Sequence, residues 1–289
     1  MRMYIAGQWT EAQDTIHVLN PFDGSLVDTV PHASPKEVDQ ALASATRGAR
    51  IMAELAAYER YSILTKTAGL LRENQEDCAR LISKESGKAL WESRFEVVRA
   101  AETIELSAEE AKRIRGETIP LDAASGGQGK FGFTLRVPCG VVVAISPFNF
   151  PLNLLCHKVG PALAAGNAVI AKPPTDTPLS ALRFTELLLD AGLPSEGIQC
   201  VTGPGGSVGE QLCADPRVRK ISFTGSPSVG ERICQVAGIK KVTLELGSNS
   251  PLIIMPDADL EEVARATAAT GYALAGQVCI CLLYTSDAA

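Results

Sequence analysis

Apolar and polar positions change texture twice along this chain, and the changes mark out its parts. "ASPKEVDQALASATRGARIMAEL" repeats at helical spacing and is signed at its start. There Ser34 can cap, Pro35 suits the first turn and Glu37 completes a capping box. From "YERYSILTKTAGLLREN" to "ETIELSAEEAKRIRG" the spacing predicts more helix, interrupted at "ESGKA". "GETIPLDAA" and "GKFGFTLRVPCG" then read as extended stretches joined by the turn-rich "SGGQG", a β-hairpin or a protruding pair of strands.

From Val141 a second pattern begins. The runs "GVVVAISP", "NAVIAKPP", "IQCVTG", "KISFTG" and "KVTLELG" are apolar without alternation, which predicts strands buried on both faces. Between them lie "LNLLCHKVGPALAAG", "TPLSALRFTELLLDAG" and "VGEQLCADP", the second with Pro178 at a helix start and Gly192 at its stop. Strand–helix–strand repetition of this kind predicts an α/β fold with a parallel, doubly wound sheet. "SPLIIMPDADLEEVARATAATGYALAG" reads as a further strand and helix.

Composition narrows the partners. The 289 residues are 46% apolar, enough for a substantial core, and carry a net charge of −6 with no basic run. Nucleic acid is therefore not expected as a partner. No secretory leader opens the sequence and no unbroken apolar stretch is long enough to span a bilayer, so a soluble cytoplasmic protein is expected, with no membrane partner. The eight cysteines are expected to be free thiols. The C-x-C pair Cys279/Cys281 lies far in sequence from His17, His32 and His157, so no metal site is expected.

Open parallel sheets bind ligands beyond the carboxyl ends of their strands, so the residues just past each run carry the interest. They are "PFNFP" with Asn149, "KPPTDTP" with Lys172, "TGPGGSVG" with Gly203, Gly205 and Gly209, "FTGSPSVG" with Phe223, Ser226 and Gly230, and "ELGSN" with Glu245. One glycine-rich turn merely ends a strand. Two in succession, each opening a helix, point to backbone N–H groups turned toward a pyrophosphate. Alone, each residue also has a plainer reading. Cys279 can be inert packing, Glu245 a surface carboxylate, Asn149 a turn residue and Lys172 a solvated strand-end charge. His157 suits packing or capping better than catalysis.

Together, "PFNFP", "GPALAAGNAVIAKP", "FTGSPSVG", "LELG" and "GQVC" stand in the order and near the spacings of the aldehyde dehydrogenase superfamily. The chain resembles that superfamily over residues 4–281, from "YIAGQW" onward. The resemblance implies a Rossmann-like cofactor domain at residues 1–115 and 137–246. It further implies a bridging and oligomerisation hairpin at 116–136 and the beginning of a second α/β, catalytic domain at 247–280. The implied reaction is oxidation of a small aldehyde to a carboxylic acid with NAD or NADP, by a full-length homodimer or homotetramer.

Residue by residue, Cys279 matches the nucleophile that forms a thiohemiacetal and then a thioester. Asn149 matches the oxyanion donor, beside the Cys279 backbone N–H. Glu245 matches the base that activates water for hydrolysis. Lys172 matches an adenosine-ribose contact, Phe223 and Ser226 match positions beside the ribose and pyrophosphate, and Ser146, Pro147 and Leu246 match backbone contacts around the dinucleotide. Phe148, Asn149 (in a second role), Thr175, Gly205, Gly209 and Gly225 complete the expected cofactor set.

Three departures matter. The family often has Glu where this chain has Thr175, with Asp176 next to it, so NADP stays open beside NAD. "ELGSN" replaces the commoner "ELGGK". The family also runs on well past its cysteine, usually through a short apolar stretch and an arginine, where this chain has "CLLYTSDAA". Residues 281–289 therefore read as foreign to the family, with no ordered element expected, and the fragment alone is expected to be inactive. Two alternatives remain: a relative that passes its thioester to coenzyme A, a branch that lacks the glutamate, and a non-catalytic chain that keeps only the fold.

Overall fold

The computed structural model describes residues 1–281; the tail expectation falls, from residue 282 onward, outside the described residues. Two short strands, β1 (Met3–Ile5) and β2 (Gln8–Thr10), precede a hairpin of β3 (Asp14–Leu19) and β4 (Leu26–His32). Four helices follow: α1 (Pro35–Glu54), α2 (Ala57–Glu73), α3 (Gln75–Ser86) and α4 (Leu90–Ala111). β5 (Thr118–Ile119) and β6 (Gly132–Phe133) pair antiparallel, in strands far shorter than the sequence suggests.

The alternating half then runs β7 (Val141–Ile145), α5 (Asn153–Ala164), β8 (Ala168–Lys172), α6 (Leu179–Asp190) and β9 (Ile198–Cys200). It continues through α7 (Glu210–Ala214), β10 (Val218–Thr224), α8 (Pro227–Ala237) and β11 (Lys241–Glu245), and α9 (Leu260–Gly271) comes last.

The main sheet has the order β11-β10-β7-β8-β9-β1-β2. Its first five members are parallel, and β1 and β2 add an antiparallel edge. The chain steps outward from β7 through β8 to β9, then returns to lay β10 on the other side of β7. A crevice must open there, between connections that leave in opposite directions.

Alternate residues of the central strands feed two separate cores. Val142, Ala144, Val169 and Ala171 pack with α2 to α6, while Val141, Val143, Ile145 and Ile170 pack with α1, α7 and α8. This burial on both faces explains the unbroken apolar text of β7 and β8.

The capping box at Ser34 and Glu37 is present, with the Ser34 N–H donating to Glu37 at 2.7 Å. Helix α1 crosses the turn before β9 very closely: a Cβ on Gly48 would lie 1.9 Å from the Glu196 carbonyl oxygen. Gly48→Ala is therefore expected to destabilise by about 1–3 kcal/mol, as overpacking does, and to lower the urea midpoint of unfolding.

Two local readings need correcting. Asn74 divides the long helical stretch, since its φ of −100° and ψ of 20° end α2 before α3 begins. Residues 251–255 form no strand, although Leu252, Ile253, Ile254 and Met255 suit one; these side chains are exposed, and a strand needs a neighbour to pair with.

Candidate active site

At the crevice, α7 and α8 wall a cleft of about 410 Å³ at the carboxyl end of the sheet. Its floor is Ile145 and Phe223, and apolar wall comes from Cys213, Val229, Ile233 and Val236. Gly205, Gly206 and Gly209 line it from the tight turn that opens α7. A Cβ at any of these three would meet nothing within 4 Å, so the backbone there faces open space. Gly225 is needed for another reason: a Cβ would come 2.4 Å from the Phe223 ring. The Ser226 hydroxyl accepts from the Val229 N–H at 3.4 Å and caps α8, while Leu246 packs over Gly230.

β8 delivers Lys172 and Thr175 to the same cleft. Lys172 is 3% exposed, and among the described residues no hydrogen bond or ion pair holds its ammonium. Burial lowers its pKa to about 8, against a smaller opposing pull from the Asp176 charge. Beside it, the buried Ser146 hydroxyl has no partner. An unsatisfied cation, an orphan hydroxyl and bare glycine backbone around an apolar slot fit the ribose, phosphates and base of a dinucleotide. Pro147 and Phe148 continue past β7 at the rim, with Phe148 exposed.

Asn149, 8% exposed, donates through Nδ2 to the Gln277 carbonyl at 2.8 Å across 128 residues of sequence. Its amide keeps a second N–H, and its Oδ1 is buried without a partner. Cys279 lies exposed two residues beyond Gln277. Its carbonyl accepts from the Ser248 hydroxyl at 2.5 Å, tying the cysteine loop to the segment after Glu245. Glu245 ends β11 and is exposed, and no hydrogen bond joins its carboxylate to the thiol among the described residues. Asn149 and the cysteine loop are thus in direct contact, and among the described residues the segment after Glu245 meets that loop through the Ser248 hydroxyl.

Three buried side chains at this end of the sheet escape a reading by motif. Lys158 of α5 donates to the Thr224 hydroxyl at 2.6 Å. Burial lowers its pKa to about 8, against the pull of the Glu245 charge. Glu96 accepts from the Leu152 and Asn153 N–H groups at 3.0 and 3.1 Å and pairs with Lys88. Glu85 accepts from the Leu179 and Ser180 N–H groups at 2.7 and 3.0 Å. These carboxylates brace the two turns, "PFNFP" and "KPPTDTP", from behind. Only Lys158 left a signal, as a lysine inside otherwise apolar helix text. His157 stays outside the cluster, 3.4 Å from the Thr103 hydroxyl.

The profile of the Aldehyde dehydrogenase family matches residues 9–283. The 3-sulfolactaldehyde dehydrogenase of Priestia aryabhattai is 46% identical over 96% of this chain and 58% of its own length. The succinate-semialdehyde dehydrogenase (NADP(+)) of Escherichia coli (strain K12) is 42% identical over 98% of this chain and 59% of its own. Among solved structures, the NADP-dependent glyceraldehyde-3-phosphate dehydrogenase from Bacillus halodurans C-125, complexed with NADP, superposes with a TM-score of 0.94. That structure is 37% identical over 97% of this chain and 60% of its own. The chain thus spans little more than half the length of these relatives. Sheet order, glycine-lined cleft and cysteine loop agree with a match over nearly all of its residues: the chain belongs to the aldehyde dehydrogenase family.

Proposed function

We propose that this chain is the nucleotide-binding, nucleophile-bearing part of an NAD(P)-dependent aldehyde dehydrogenase whose full-length form oxidises an aldehyde to a carboxylic acid. The Asn149–Gln277 hydrogen bond carries this reading, because it brings a strand-end amide onto the loop that bears Cys279, beside a cleft fit for a dinucleotide. Lys172, Thr175, the Gly205–Gly209 turn, Phe223, Gly225, Ser226 and Leu246 would hold the dinucleotide, which supplies a hydride acceptor when bound.

In this scheme the Cys279 thiolate attacks the aldehyde carbon. The free N–H of Asn149 and the Cys279 backbone N–H stabilise the oxyanion that forms. Loss of hydride leaves a thioester on Cys279. Glu245, exposed at the end of β11, takes a proton from the water that hydrolyses it. The coenzyme A-acylating alternative gains no support, since the glutamate that branch lacks is here. The relatives' names point to short aldehydes bearing an acid group, and those are the substrates to assay first. In the same reading the full-length protein is cytoplasmic. It assembles as a homodimer or homotetramer through the 116–136 hairpin, whose neighbourhood exposes Phe131, Phe133, Leu135 and Val137. No helix among the described residues is long and apolar enough to cross a membrane.

Calorimetric titration of the chain with NAD and NADP as a function of pH tests the nucleotide half. Lys172 donates to ligand oxygens only as ammonium, so binding raises its pKa above the free value of about 8. Affinity should hold below that pH and fall as pH rises through it, by up to about tenfold per unit. Lys172→Met should weaken binding and flatten the profile. Binding of neither nucleotide at pH 7 would contradict the assignment of the cleft.

A further inference from the structure

Two charges of the cleft have no part in the scheme above. Glu210, the first residue of α7, and Arg232, on α8, both line the cleft and bridge its walls as an ion pair. Arg232 Nε donates to Glu210 Oε2 at 3.3 Å, and Nη2 makes a second, short contact to Oε1, so the guanidinium engages the carboxylate with both arms. The Arg232 and Glu210 side chains are 56% and 38% exposed, and the other hydrogen bond of Arg232 goes to Gln235 one turn along at 3.5 Å. A pair this wet adds little to stability and can exchange partners at small cost.

We propose that the Glu210–Arg232 pair sets the discrimination at the 2′ position of the adenosine ribose, Glu210 opposing a 2′-phosphate and Arg232 recruiting it. The proposal rests on reading the cleft as a dinucleotide site. The apolar slot takes the flat base, and the ribose edge is left to the polar residues of the rim: Lys172 from the end of β8, Thr175 from the turn after it, and Glu210 and Arg232 from the helices. A guanidinium fork fits phosphate oxygens as well as it fits a carboxylate, so a 2′-phosphate competes with Glu210 for the same donors. A 2′-hydroxyl offers no charge and leaves the pair intact. Glu210 thereby acts as a built-in competitor that holds down affinity for the phosphorylated form.

The test is calorimetry on the 289-residue chain with adenosine 5′-monophosphate, adenosine 2′,5′-bisphosphate and adenosine 3′,5′-bisphosphate. Glu210→Gln should tighten the 2′,5′-bisphosphate roughly fivefold, and Arg232→Gln should weaken it by a similar factor, the size expected of half-exposed charges. The 5′-monophosphate should change by less than about twofold in both, and the 3′,5′-bisphosphate should follow the monophosphate. Both side chains lie on the surface, and unchanged thermal midpoints will show that the variants fold. If all three nucleotides shift together, or the 2′,5′-bisphosphate does not respond, the pair does not discriminate, although the cleft remains a nucleotide site. If the unaltered chain binds none of the three, the dinucleotide reading fails and this inference with it.

Discussion

In the full-length protein, Cys279→Ala is expected to abolish aldehyde oxidation, leaving neither a burst of reduced cofactor nor steady turnover. Without the thiolate no thiohemiacetal forms, and hydride has no tetrahedral carbon to leave. Glu245→Gln should behave differently. Attack and the first oxidation need only Cys279 and its oxyanion donors, so one equivalent of reduced cofactor should appear at each site. Steady turnover should then fall by about two to four orders of magnitude, the range for removal of a general base. Asn149→Ala should slow the burst itself by about a hundredfold or more, since it removes an oxyanion donor before hydride leaves. Stopped-flow absorbance at 340 nm separates the three. Normal turnover by Glu245→Gln would remove that residue from the hydrolytic step, and addition of coenzyme A to the assay would then be the next comparison.

The largest stability effect is expected behind the site, at Lys88→Met. Lys88 and Glu96 are 1% and 0% exposed at their side chains, with the ammonium also 3.9 Å from the centre of the Phe150 ring. Removing the lysine strands a carboxylate that has almost no access to water, which costs about 3–5 kcal/mol when a buried pair is broken on one side. Glu96 also holds the Leu152 and Asn153 N–H groups, so the loss should loosen the turn that presents Asn149. Urea unfolding should show a much lower midpoint for Lys88→Met. The double variant Lys88→Met/Glu96→Gln should recover part of it, because glutamine keeps one acceptor oxygen and carries no charge. A single-variant loss below about 1 kcal/mol would mean that water reaches the pair.

The parallel sheet was legible because β7, β8 and β9 are short, apolar and wholly buried, and because Gly, Pro, Lys or Glu marks each carboxyl end. The expectation of burial on both faces fails at β11, an edge strand whose residues are exposed or half-buried and alternate. The strand-end residues were legible for the same reason: they sit where topology opens a crevice. Tertiary geometry hid the rest. Glu85 and Glu96 lie on helical surfaces that resemble any charged helix face until the turns after β8 and β7 are packed on them. Glu210 and Arg232 are separated by a strand, so their pairing depends on how α7 and α8 flank the cleft. The run at 251–255 failed as a strand because propensity cannot supply a partner, whereas the break at Asn74 is too local for periodicity to register.

Covalent capture on Cys279 tests the central claim most directly. The full-length Glu245→Gln protein would be incubated with cofactor and aldehyde, quenched in acid, digested and examined by mass spectrometry. The peptide holding Cys279 should gain the mass of the acyl group, one per chain, and hydroxylamine should remove it as expected for a thioester. An acyl group on another cysteine, or oxidation of the aldehyde with no acylated peptide at all, would contradict the assignment of Cys279 as nucleophile and Glu245 as the base that frees it.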